Sequence, residues 1–144
     1  MNTSSFTLTP KPAKKAIAHA MKMGRPVFLW GPPWIGKSDV VSQIAEQFNA
    51  PMIDVRLSLC EPTDITGIPY FDSNEAKMVW APPIDLPSEE FAKQYEKVVL
   101  FFDELNSAFP AVQAAAYQLI LNRRVGNYVL PDNVVMVAAG NHDS

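Results

Sequence analysis

The chain has 144 residues, about half of them apolar, and a formal charge of −3, which suits one compact domain with its own core. Twelve basic against fifteen acidic residues create no overall positive field to gather nucleic acid or an anionic membrane. The lone cysteine, Cys60, excludes an internal disulfide, and no apolar run approaches the roughly twenty residues that span a bilayer, so the expected compartment is the reducing cytoplasm.

Residues 1–12 are rich in Ser, Thr and Pro without hydrophobic period and read as an irregular, mobile arm. The alanine-rich stretch after it is interrupted by His19 and Lys22, so it lacks the apolar region of a signal peptide. Ala13, Ala16, Ile17, Ala20 and Met21 recur at helical spacing and predict a helix over Ala13–Met23, ended by Gly24. Val27–Trp30 is a short apolar strand running into Gly31, and from Lys37 a second amphipathic helix shows Val40, Val41, Ile44, Ala45 and Phe48 on one face. Met52–Arg56 reads as a strand, followed by a connection punctuated by Pro62, Gly67 and Pro69. Tyr70–Phe71 and Met78–Trp80 flank the turn cluster Asp72-Ser73-Asn74 and predict a β-hairpin projecting from the core. Ser88 with Glu89 and Glu90 marks a short helix start. Val98–Phe102 reads as a strand buried on both faces with Asp103 and Glu104 at its exit. After Pro110, the stripe Val112, Ala115, Ala116, Leu119 and Ile120 predicts a helix with Arg123 and Arg124 in its last turn. A small hairpin over Tyr128–Asn133 and a final strand over Val134–Ala138 complete the order. Alternating strands and helices imply an α/β fold on a mainly parallel sheet with hairpin insertions. Cys60, Trp80 and the methionines are assigned packing roles.

Gly31-Pro32-Pro33-Trp34-Ile35-Gly36-Lys37-Ser38 satisfies G-x-x-x-x-G-K-[ST], between a strand and a helix as that motif requires. Its glycines let backbone amides face phosphate oxygens, Lys37 meets the β- and γ-phosphates of ATP, and the Ser38 hydroxyl ligates Mg2+. Asp103 is the second expected magnesium ligand. Glu104 is placed to orient and deprotonate the attacking water. Asn141, just past the last strand, has an amide able to reach both the γ-phosphate and that water. A plain turn residue is the competing account of Asn141, and a helix-dipole partner that of Arg123 and Arg124, which could otherwise reach a neighbouring subunit or a polyanion. His142 and Asp143 lack spaced partners and read as solvated loop residues.

With these motifs in place, the chain resembles the MoxR-like branch of the AAA+ ATPases from about Pro26 to Asn141. Gly31-Pro32-Pro33 with Gly36-Lys37-Ser38 matches the family's Walker A loop, Leu100 to Asn106 its Walker B segment, and Asn141 its sensor-one position. Pro62 to Trp80 looks like the helix-two insert and Tyr128 to Asn133 the pre-sensor insert. The resemblance implies a P-loop NTPase three-layer sandwich over residues 1–144, without the family's fifth strand and helical lid. It also implies ATP hydrolysis that remodels or matures a partner protein, a hexameric homo-oligomeric ring, and partners carrying von Willebrand A domains. Two departures stand out: Trp34 occupies a usual glycine, and the segment supplying the arginine finger and sensor two is missing. A nucleotide-binding regulatory or assembly module without turnover remains the alternative, and a small-molecule kinase a third reading.

Overall fold

The computed structural model describes residues 4–7, 10–31, 36–81 and 85–141. In chain order these form β1 (Ser4–Thr7), α1 (Pro10–Met23), β2 (Val27–Gly31), α2 (Lys37–Gln47), β3 (Met52–Arg56), α3 (Thr63–Thr66), β4 (Ile68–Asp72) and β5 (Lys77–Ala81). Next come α4 (Glu89–Ala92), β6 (Val98–Asp103), α5 (Pro110–Asn122), β7 (Arg124–Val125), β8 (Tyr128–Val129) and β9 (Val134–Asn141), with 3-10 turns at Leu57–Leu59 and Leu105–Ser107.

One five-stranded sheet runs in the order β1-β2-β9-β6-β3, and every neighbouring pair is parallel. Period-two alternation distributes its residues to two cores. Val27, Leu29, Val99, Phe101, Val135, Val137 and Ala139 face α1 and α2, where they meet Ile17, Met21, Val41 and Ile44. Phe28, Val98, Leu100, Phe102, Val134, Met136 and Ala138 face the other way, onto Val112, Ala116 and Leu119 of α5. The result is a three-layer α/β sandwich, as the sequence predicts. Phe101 and Phe102 are fully buried on opposite faces, each contributing about 2–3 kcal/mol of hydrophobic stabilisation.

Local chemistry explains several boundaries. Gly24 has φ +69° and its amide donates to the Ala20 carbonyl at 2.7 Å, stopping α1 in a left-handed cap. The Ser88 hydroxyl accepts from the Phe91 amide at 3.1 Å, capping α4. Pro110 stands in the first turn of α5, where its missing N–H has no helical acceptor to forgo. The β4–β5 hairpin lies where the sequence predicts, its turn held by the Asp72 carboxylate accepting from the Asn74 amide at 2.9 Å.

Four expectations need correction. Within the segment 1–12, read as an irregular arm, Ser4–Thr7 pairs with Val27–Trp30 as the outer strand and α1 begins at Pro10. Without the strand pairing in view, a Ser/Thr-rich strand carries no hydrophobic signal. The second hairpin pairs Arg124–Val125 with Tyr128–Val129, earlier than the predicted Tyr128–Asn133, because Gly126 at φ +56° makes the turn. Arg124 is therefore a strand residue, and Arg123 is the helix cap in the left-handed region at φ +59°. Met23 and Met78 are exposed, unlike the buried Met21 and Met136, so packing roles do not hold for all methionines. The Trp80 side chain lies outside the described residues.

Candidate functional site

In a parallel sheet all strand carboxyl ends open on one edge, and the crevice there is where ligands gather. Gly31 ends β2, Asn141 ends β9, Asp103 ends β6 and Arg56 ends β3, so one rim collects every strand-borne residue predicted to act on a phosphate. Gly31 and Asn141 are direct register partners, as are Arg56 and Asp103.

Across this rim the Lys37 Nζ stands 3.7 Å from Asp103 Oδ1, with the two side chains only 12% and 14% exposed. Lys37 opens α2 directly after Gly36, whose φ of +86° turns the chain into the helix. The first turn of α2 points its amides and the positive end of its dipole toward the rim, and Ser38 stands on that turn. Pro32, Pro33, Trp34 and Ile35, together with His142 and Asp143, lie outside the described residues. Asn141 is placed by its backbone alone, at the end of β9.

Asp103 is fixed from a second side, because the Glu104 amide donates to its Oδ1 at 2.8 Å. Glu104 itself adopts φ +57°, ψ +42°, a left-handed conformation that a non-glycine residue enters at a cost of about 1–2 kcal/mol. The Glu104 carboxylate finds its partners at the end of β3 and in the turn after it. There the Ser58 hydroxyl donates to Glu104 Oε1 at 2.7 Å, and the Arg56 Nε lies 3.3 Å from the same oxygen. Arg56 and Glu104 are 60% and 38% exposed, so this ion pair contributes at most about 1 kcal/mol. Arg56 and Ser58 are the site residues that sequence reading missed. The available signal was polar residues at the end of β3, but their target emerges only when β3 is known to flank β6.

A third carboxylate, Asp54, stands near this group on β3. Its pKa is raised above the ordinary 3.8, first by partial burial and then by the Asp103 charge, with Arg56 opposing. Among the described residues no three His, Cys, Asp or Glu side chains cluster to hold a metal by themselves. Asp103 and Ser38 instead offer the one or two hard oxygens that Mg2+ takes from protein when phosphates and water complete its octahedron, so the donor set fits that ion.

Arg123, weighed as a helix-dipole partner or a residue for a neighbouring subunit or polyanion, has hydrogen-bond partners within this chain. Its guanidinium donates to the carbonyls of Pro131 at 2.8 Å and Val134 at 3.1 Å, at the opposite end of the sheet.

Residues 27–144 match the family of ATPases associated with various cellular activities (AAA). Midasin of Giardia intestinalis is 34% identical over 125 residues, which cover 84% of this chain and 2% of that protein. A solved structure from Cytophaga hutchinsonii, described as an ATPase, superposes with a TM-score of 0.60 at 16% identity, over 92% of this chain and 38% of the other. A point mutant of RuvB from Thermotoga maritima gives 0.55 at 20% identity over 92% and 37%. NtrX of Brucella abortus gives 0.57 at 14% identity over 96% and 31%. The chain thus spans a small part of midasin and less than two fifths of these three structures; at such identities the structural likeness concerns the fold. No helix among the described residues is long and apolar enough to cross a membrane.

Proposed function

Because this chain belongs to the AAA family of ATPases, we propose that it binds Mg·ATP at the rim between β2 and β6 and hydrolyses the γ-phosphate. The observation that carries this reading is the approach of Lys37 to Asp103 across the rim, with Glu104 held beside them by Arg56 and Ser58.

Each residue then has a task set by its chemistry. Backbone N–H groups of the Gly31–Ser38 loop would face the triphosphate, those of Trp34 and Ile35 included and Pro32 and Pro33 excepted because proline has none, and Lys37 would add a point charge at the β- and γ-phosphates. Asp103 and Ser38 would hold Mg2+, which would supply charge neutralisation at the β- and γ-phosphates. Glu104 orients the attacking water and accepts its proton. Both contacts to Glu104 fall on Oε1, and in this reading Oε2 is the atom assigned to the water. Asn141, beside Gly31 in register, is assigned the amide contact to the γ-phosphate and water.

Within the family, the Walker B run Leu100 to Asn106 and the exposed β4–β5 hairpin favour a MoxR-like motor. In that reading subunits assemble into a hexameric ring in the cytoplasm, and hydrolysis remodels or matures a partner protein, with von Willebrand A domains the leading partner class. Phosphate release measured for the native chain and for Glu104→Gln tests the enzymatic core. Loss of about 10²–10³ in turnover with Mg·ATP affinity retained is expected. Equal rates remove Glu104 as the base, and binding without turnover at every protein concentration replaces the motor by a non-hydrolysing nucleotide module. A rate per chain that rises with concentration supports the ring.

A further inference from the structure

Three elements that carry the site cross at Gly140. In the β2–β9 register Trp30 faces Gly140, one step before Gly31 faces Asn141. Gly140 has no side chain, and the space a Cβ would take is filled: it would overlap Trp30 Cζ3 and lie 2.9 Å from both Trp30 Cε3 and Asn106 Oδ1. Asn106 belongs to the 3-10 turn that follows Glu104. The indole is braced from the other side as well. Phe28 stacks on Trp30 with ring centroids 6.2 Å apart and planes within 4°, and Phe28 in turn meets Tyr117 of α5 at 6.0 Å.

We infer that Trp30 is a positioning residue for the hydrolytic reaction: its indole, seated on the bare Cα of Gly140 beside Asn106, ties the strand entering the phosphate loop to Asn141 and to the turn behind Glu104. The inference rests on the ATPase reading above and adds to it the means by which three separate elements keep one geometry. A rigid ring transmits displacement because close-packed interiors do not deform continuously. Any shift of β2 would therefore be passed to the end of β9 and to the turn after Glu104 together. Misplacement of about 1 Å at a reacting group costs on the order of a hundredfold in rate, so the loss is expected in kcat rather than in KM.

The test is a double-substitution cycle in the full chain, read as kcat and KM for ATP hydrolysis. Trp30→Ala is expected to lower kcat about tenfold or more with KM within about threefold, and Trp30→Phe to restore most of the rate. Gly140→Ala is expected to impair the native chain strongly and to cost markedly less in the Trp30→Ala background, where the overlap with the indole is gone and only the approach to the Asn106 Oδ1 is left for that side chain to relieve. Additive effects, an unchanged kcat in Trp30→Ala, or a parallel loss of KM and thermal stability that phenylalanine does not rescue, each overturn the inference while leaving the ATPase reading intact. If the native chain binds Mg·ATP without turnover, the readout is the nucleotide-induced change in Trp30 emission, taken as native minus Trp30→Phe. Its loss in Gly140→Ala upholds the coupling, and a flat difference spectrum sinks it. A native chain that neither binds nor hydrolyses ATP sinks the ATPase reading instead.

Discussion

The two ends of the parallel sheet use similar residues for opposite purposes. At the carboxyl end Glu104 takes a left-handed conformation and meets Arg56 and Ser58. At the amino end Arg123 takes the same kind of backbone conformation, and its guanidinium reaches the carbonyls of Pro131 and Val134. Neighbouring donors there act alike: the Tyr128 hydroxyl donates to the Pro87 carbonyl at 2.6 Å, and the Asn133 amide to Ala92 and Tyr95 at 2.8 and 2.9 Å. At the amino end, then, charged and polar side chains end on neutral backbone acceptors, an arrangement that stiffens loops and has nothing left to exchange. At the carboxyl end charge meets charge in partial contact with solvent, where a phosphate or water can enter the balance. Backbone strain marks both places; only the identity of the acceptor separates function from support.

Substitution at each end should therefore separate binding from stability. The largest effect is expected from Lys37→Ala, which should weaken Mg·ATP at least about a hundredfold by calorimetry while shifting the melting temperature less than the next variant does. Arg123→Ala should do the reverse. It removes a cationic donor and leaves two carbonyls to find other partners, costing about 2–3 kcal/mol in urea unfolding, with nucleotide affinity per folded molecule unchanged. Affinity falling in step with stability in Arg123→Ala would erase the distinction between the two ends.

Tyr128→Phe should cost about 1 kcal/mol through its lost hydrogen bond to Pro87. Burial raises the Tyr128 pKa well above the ordinary 10.0, with Arg123 opposing. A phenol whose folded pKa is raised contributes stability that is complete below about pH 10 and is lost as pH rises toward the folded value. Urea midpoints taken across that alkaline range should fall more steeply for the native chain than for Tyr128→Phe. Parallel slopes would mean that this hydroxyl does not drive the alkaline loss.

Much of the carboxyl end is legible in the sequence because its signals are local. Gly36-Lys37-Ser38 follows a strand and opens a helix, and the apolar run Val98–Phe102 announces a doubly buried strand ending in Asp103. The partners of Glu104 are not legible, since Arg56 and Ser58 are forty-six or more residues away and reach it only through the β3–β6 pairing. The same reason hides β1, whose Ser4–Thr7 has no amphipathic pattern and becomes a strand by finding β2. Arg123 misleads for a different reason. A cation at the end of a helix suits the helix dipole, so nothing local reveals that the side chain turns inward to two carbonyls.

The smallest effect separates repulsion from attraction within the carboxyl end itself. Asp54 is exposed on β3, and its raised pKa comes from partial burial and the Asp103 charge, with Arg56 working against both. For a carboxyl raised in the folded state, the native chain binds more protons than the unfolded chain just above pH 3.8, so stability declines as pH climbs through the folded value. Asp54→Asn removes this decline. Its melting temperature should therefore exceed that of the native chain slightly at pH 7 and converge with it near pH 3.5, after allowance for the other carboxyls that both share. Bound Mg2+ would change the balance, because a cation at Asp103 offsets the charge that Asp54 feels. Adding Mg·ATP should accordingly shrink the difference between the two chains at neutral pH. Burial alone leaves part of the difference in place; a difference of unchanged size at saturating nucleotide would weaken the assignment of Asp103 to the metal.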